Sequence, residues 1–451
     1  MPSRLPLALL IATVLAAPAW AQQQEAPDQP PAVASSDDPE AAESAPSRVP
    51  LEEIKRYVAV FNAVKDAYVE PVEDKKLMQS AIRGLLLDLD PHSTYFDKED
   101  SEAFDEQASG AYEGIGVELL QQPDRTLLVV APIDDTPAAK AGIRSGDLIT
   151  AIDGKPISAE DGMEPLRGAP GSKIVLTIVR EGTPKPFDVT LVRDTIRVAS
   201  VRGRALEPGY GYVRISAFQT DTAADFQKQV ERLQEVGKLR GLVIDLRSNP
   251  GGLLLAAVQV ADELLEKGNI VSTRGRLPIS DTTFDATPGD ILGGAPVVVL
   301  VDAGSASASE VLAGALQDHK RATIMGSQTF GKGSVQTVRP LGPDTGIKLT
   351  TARYYTPSGK SIQASGIVPD VVVKPEQDAR PGSVVERDGQ LYVTEATLPG
   401  HLRGDDEGQS GYTPGDVLEG DAPITAALAE LKKMAATAQA GAASGAGKQA
   451  R

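Results

Sequence analysis

The run Pro296-Val-Val-Val-Leu-Val-Asp302 is short, apolar and β-branched, and it opens directly onto Gly304-Ser-Ala-Ser-Ala-Ser-Glu310. Ala308, Val311, Leu312 and Ala315 then recur at helical spacing. The order is strand, tight turn, helix, so the serines sit at the start of a helix. Free backbone N–H groups there can stabilise the oxyanion of a tetrahedral intermediate. A second unit has the same build: Leu242 to Leu246 reads as a buried strand, Pro250-Gly-Gly252 as a turn, and Leu253, Ala257, Val260, Ala261 and Leu264 as a core-facing helical stripe. The diglycine lets backbone N–H groups approach a ligand closely. Taken alone, a diglycine is more commonly a tight turn with only packing duties.

A serine hydroxyl needs a base. The chain has His92, His319 and His401, none in a persuasive local setting, and each reads as a solvated or satisfied histidine. Lysine is the alternative. Lys332 lies between glycines in Phe330-Gly-Lys-Gly-Ser-Val-Gln336, just before a strand, and burial in an apolar pocket would lower its pKa far enough to make it a base. If that segment is extended, even spacing puts Gln336 on the same face, where its amide can hold the lysine. Spacing alone does not choose among Ser305, Ser307 and Ser309.

The serine run and the lysine segment, with Leu242-Val-Ile-Asp-Leu-Arg-Ser-Asn-Pro-Gly-Gly252 before them, resemble the carboxy-terminal processing peptidases, tail-specific Ser/Lys proteases that carry a PDZ domain. The likeness covers residues 51 to 375. It implies Ser307 as nucleophile, Lys332 as base and Gln336 as its partner. It also implies an oxyanion hole from Ala308 and either Gly251 or Gly252, and a crotonase-like ββα core. Glu310 shares the helix face with Ser307, where it could orient the site, but a first-turn acid that complements the helix dipole needs no catalytic role and is left out of the catalytic set.

Residues 1–21 read as a secretory leader: Arg4, an apolar run from Leu5 to Ala17, and an Ala19-Trp-Ala21 cleavage site. The expected protein is therefore exported, to the periplasm, with no membrane span. Its formal charge of −17 disfavours nucleic acid and anionic membranes as partners. With no cysteine and scattered histidines, no metal site or cofactor is expected. Residues 22–50, rich in Ala, Pro, Gln and acids, read as a disordered linker. Ile54, Val58, Phe61, Val64 and Tyr68 form one helical stripe, and Met78, Ile82, Leu85 and Leu89 another. They pack either within the chain or on another subunit. The resemblance implies dimerisation over 51–107 and a homo-oligomer.

Gly114-Ile115-Gly116-Val117 resembles the carboxylate-binding loop of PDZ domains, in which glycines let successive N–H groups share a concavity. Ala138-Ala-Lys-Ala-Gly-Ile-Arg-Ser-Gly-Asp-Leu-Ile149 strengthens the match, and the PDZ domain is set at 108–195. Arg167 matches a family position that couples peptide docking to activation. Gly326-Ser-Gln-Thr-Phe-Gly-Lys332 has phosphate-loop spacing, but Gly333 stands where Ser or Thr is needed and a strand follows instead of a helix. The protease cap and core are set at 196–377. The rest, 378–451, is a C-terminal extension with one helix from Pro423 to Ala438 and a disordered Gly/Ala tail. That helix either joins subunits or covers its own domain.

The expectation is thus an α+β multidomain protein: N-terminal helical segment, PDZ domain, crotonase-like serine protease core and C-terminal helical tail. It would cleave protein substrates engaged through their C-terminal tails, and relatives of this kind use lipoprotein adaptors. The competing readings are a non-catalytic PDZ scaffold and, more remotely, a crotonase-like acyl-thioester enzyme.

Overall fold

A computed structural model describes residues 49–122, 125–157, 163–342, 345–374, 394–405, 407 and 415–449. The expected leader and most of the linker lie outside the described residues. The chain divides into two compact units, Met1–Leu77 and Met78–Arg451. In the first, the helix Leu51–Ala67 follows the expected stripe but buries none of its residues, and Ile54 and Val58 remain 45% and 47% exposed.

In the second unit, strands Ala111–Gly114 and Asp194–Arg197 pair antiparallel, so the chain enters and leaves the PDZ domain side by side. Between them Val117–Gln121, Leu127–Pro132, Leu148–Ile152, Lys173–Val179 and Phe187–Val192 form an antiparallel sheet in that order. Its interior is Ile115, Leu127, Val129, Ile149, Ile174, Leu176 and Ile178.

The core is a six-stranded sheet in the order Val201–Glu207, Tyr210–Ile215, Gly241–Asp245, Val297–Val301, Ala322–Gly326, Val371–Val372. All neighbours after the first pair are parallel. Gly241–Asp245 and Val297–Val301 are buried along their whole length, as the central strands of a sheet covered on both faces must be. Leu242, Ile244, Val297, Val299 and Val301 face one core, packed by helices Leu254–Asp262 and Ala308–Asp318. Val243, Val298, Leu300 and Met325 face another, closed by Ile424, Ala427 and Leu431.

Those last residues belong to the helix Ala422–Gln449, which therefore covers its own domain. The helix runs past Ala438 to Gln449, through the stretch expected to be disordered, where alanines that favour helix alternate with glycines that disfavour it. A second sheet flanks the core, with Thr94–Phe96, Gly268–Gly275 and Ser334–Gly342 all pairing antiparallel with Thr345–Tyr355.

Candidate active site

Strand Val297–Val301 ends at Asp302, a fully buried carboxylate that gathers the loops around it. Its Oδ1 accepts the N–H groups of Ser248 at 2.7 Å and Gly304 at 3.0 Å, and its Oδ2 accepts the Leu418 N–H at 3.1 Å. The three serines then part company. Ser305 Oγ donates to the Leu246 carbonyl at 2.8 Å and Ser309 Oγ to the Asn249 carbonyl at 3.0 Å, and both side chains are fully buried. Ser307 caps the helix Ala308–Asp318 at φ 54°, ψ −114°, a sparsely populated conformation for a residue with a Cβ. Its hydroxyl meets that of Tyr354, whose buried phenol is pushed up to about 12.

What holds Ser307 there is Glu310, fully buried three residues on. Oε2 accepts the main-chain N–H of Ser307 at 2.7 Å and of Lys332 at 2.9 Å. Oε1 accepts Thr329 Oγ1 at 2.5 Å and the Gly331 N–H at 2.7 Å. Burial pushes this carboxyl up to about 7 despite the four donors. Sequence reasoning weighs a role for Glu310 in orienting the site against helix-dipole compensation and leaves it out of the catalytic set. The signal was the capping-box spacing of Ser307 and Glu310, and the tertiary partners lay out of its sight.

Lys332 is mostly buried, and burial, seconded by the Lys348 ammonium, drives its amine below the ordinary lysine value. Glu395, Glu310 and Asp90 pull the other way. Gln336 does not sit as even spacing implied. Lys332 precedes the strand Ser334–Gly342, so the regular alternation that puts Gln336 on the face of Ser334 does not run back to the lysine, and the register shift beside Gln336 leaves its extra residue, Thr351, on the partner strand. Gln336 Nε2 donates instead to Ser334 Oγ at 3.0 Å and Thr350 Oγ1 at 3.2 Å. No hydrogen bond joins it to Lys332 among the described residues.

The diglycine turn lies against the serine. A Cβ on Gly251 would come 2.9 Å from Ser307 Cβ and 3.0 Å from Ala308 N. The Gly251 N–H donates to Asn249 Oδ1 at 2.9 Å. The N–H groups of Gly252 and Ala308 are engaged by no acceptor among the described residues.

All three histidines have partners: His92 with Glu395, His319 with the Asn269 carbonyl, His401 with Glu407 and the Leu398 carbonyl. After Lys332 comes a strand, so the phosphate-loop spacing has no helix behind it. Among the described residues there is no group of three metal-ligating side chains and no helix long and apolar enough to cross a membrane.

In the PDZ domain, Ile115 is buried and Gly116 has φ 76° with its carbonyl accepting Thr136 Oγ1 at 3.0 Å. Gly114 ends one strand and Val117 begins the next, where it hydrogen-bonds the Tyr112 hydroxyl through its backbone. Arg167 pairs with Glu106 of the helix Lys98–Ser109, which raises its already high pKa, and lies 5.8 Å over the Tyr112 ring.

Family models match along the chain: the activating protease CtpB N-terminal domain at residues 9–100, a PDZ domain at 113–191 and peptidase family S41 at 209–373. A carboxy-terminal-processing protease of Bartonella bacilliformis is 46% identical over 80% of this chain and 82% of its own length. The carboxy-terminal processing protease CtpA of Bacillus subtilis is 34% identical over 69% of this chain and 67% of its own. Among solved structures, a photosystem II D1 C-terminal processing protease is 33% identical, with a TM-score of 0.42, covering 72% of this chain and 94% of that one.

Proposed function

Because this chain belongs to the carboxy-terminal processing proteases of peptidase family S41, we propose that it is a serine endopeptidase working with a Ser307–Lys332 pair. The observation that carries this reading is the shared carboxylate of Glu310, which binds the main chain of both residues through one oxygen. That Ser307, alone of the three serines, keeps its hydroxyl off the main-chain carbonyls supports its choice as nucleophile.

In the proposed reaction the neutral Lys332 amine takes the Ser307 proton as Oγ attacks the scissile carbonyl. The N–H groups of Ala308 and Gly252 stabilise the oxyanion, since the Gly251 N–H is already held by Asn249. The lysine ammonium then returns its proton to the departing amine, and water, deprotonated by the same lysine, clears the acyl-enzyme. Gln336 orders the strand beside the lysine through Ser334 and Thr350.

The loop Gly114 to Val117 receives the substrate's terminal carboxylate, and Arg167, anchored on Glu106, links the PDZ domain to the helix Lys98–Ser109 so that docking bears on activity. The leader read in residues 1–21 supports a periplasmic setting, and the exposed stripe of Leu51–Ala67 supports self-association, with a lipoprotein adaptor as a further partner.

Purified mature protein incubated with an unstructured substrate, with products mapped by mass spectrometry, tests the reading. Wild type cuts, whereas Ser307→Ala does not cut yet still binds a C-terminal peptide. A PDZ scaffold would bind and never cut, and persistent cleavage by Ser307→Ala would remove the nucleophile assignment.

A further inference from the structure

The residues flanking Lys332 are gripped from the far end of the chain. Glu395, whose side chain is 1% exposed, lies in the segment 394–405, beyond the stretch that resembled the family. Its N–H donates to the Phe330 carbonyl at 3.1 Å. Its Oε1 accepts Gln363 Nε2 at 2.8 Å, and Gln363 Oε1 accepts the Gly333 N–H at 3.0 Å. The chain is therefore tied on both sides of Lys332 to one residue. The remaining oxygen, Oε2, lies 2.8 Å from His92 Nε2. Space is tight, since a Cβ on Gly333 would fall 2.2 Å from the Gln363 nitrogen, so the contact admits little slack.

We propose that Glu395, braced by His92 and Gln363, is a positioning residue for Lys332: it fixes the segment from Phe330 to Gly333 and supplies one of the charges that face the lysine amine. The inference rests on the Ser/Lys reading given above. The other charged groups facing that amine are Lys348 on the strand Thr345–Tyr355, Asp90 ahead of Thr94–Phe96, and Glu310 on the helix Ala308–Asp318. Glu395 itself faces His92, and His401 from its own segment. Its negative charge favours the ammonium and works against burial, which favours the neutral amine. The C-terminal segment thereby becomes part of the catalytic apparatus, tuning the base from outside the core sheet.

Glu395→Gln keeps the shape and an acceptor for Gln363 while removing the charge. Full-length mature enzyme acting on fluorescently labelled β-casein should then show the acidic limb of its kcat/KM profile displaced to lower pH, because the lysine loses its proton more easily. Gln363→Met keeps the charge and cuts the tie to Gly333. It should lower kcat several-fold with the limb in place, a result that does not depend on how well the Glu395 variant folds. Lys332→Ala serves as the reference. If Lys332→Ala is inactive while Glu395→Gln leaves the limb unmoved, or Gln363→Met leaves kcat unchanged, the inference falls and the Ser/Lys reading stands. If Lys332→Ala remains active, the Ser/Lys reading falls and takes this inference with it.

Discussion

The Oε2 atom of Glu310 accepts the main-chain N–H of Lys332 at 2.9 Å. The same oxygen accepts the Ser307 N–H, so two loops separated in sequence are referenced to one buried atom. Reacting groups must be placed to a fraction of an ångström, and a misplacement of about 1 Å costs on the order of 100-fold in rate. Glu310→Gln should therefore lose about 100-fold in kcat or more, because whichever way the amide turns, its donor-only nitrogen faces two of the four donors that the carboxylate accepts. Turnover within a few-fold of wild type would show that the tie is dispensable.

Glu310 also links stability to pH. Its folded pKa, about 7, lies above the ordinary carboxyl value of 4.5, so the native state binds the proton more tightly than the unfolded state does. The stability it confers is full below the unfolded value and is lost as pH rises from about 4.5 through about 7. Denaturation midpoints of wild type and Glu310→Gln, compared at either end of this window, should converge on the change the carboxyl makes: wild type loses stability relative to the variant as pH rises. A gap that does not change with pH would contradict the raised value.

Lys332 must lose a proton to act, and burial lowers its pKa. Activity should accordingly rise with pH through a midpoint below the usual lysine value. Lys332→Arg, which stays charged at every accessible pH, should fold and show no turnover from pH 6 to pH 10 on the order-of-magnitude values for these groups. Measurable cleavage by the arginine variant anywhere in that range would exclude the lysine as base.

Gly251 has φ 102°, and a Cβ there would come 2.8 Å from the Ala306 carbonyl oxygen and 2.9 Å from Ser307 Cβ. Gly251→Ala should cost roughly 1–3 kcal/mol of stability from backbone strain and displace Ser307 enough to depress kcat more than KM. Steady-state kinetics beside a urea melt separates the two effects. An unaffected kcat would mean that the turn does not set the serine's position.

Leu431, fully buried, closes the second face of the core sheet against Val243, Val298 and Leu300. Leu431→Ala should destabilise the protein by about 2–5 kcal/mol through lost burial and the cavity left behind. A urea midpoint equal to that of wild type would show the helix Ala422–Gln449 to be an ornament on the sheet.

Within the chain, local patterns already determined much of this. The β-branched runs at 242–246 and 297–301, each followed by a glycine turn and an apolar helical stripe, specify strand-turn-helix units because side-chain periodicity acts over a few residues. The PDZ order and the reserve of three unpersuasive histidines were legible for the same reason. Which serine keeps its hydroxyl off the backbone, which glycine N–H is already taken, that Gln336 bonds Ser334 and Thr350, and how Glu310 and the His92-braced Glu395 hold the segment around Lys332 were decided only by the tertiary structure. Such contacts join residues tens to hundreds of positions apart, and burial gives them their electrostatic weight. No local period in the sequence carries either piece of information.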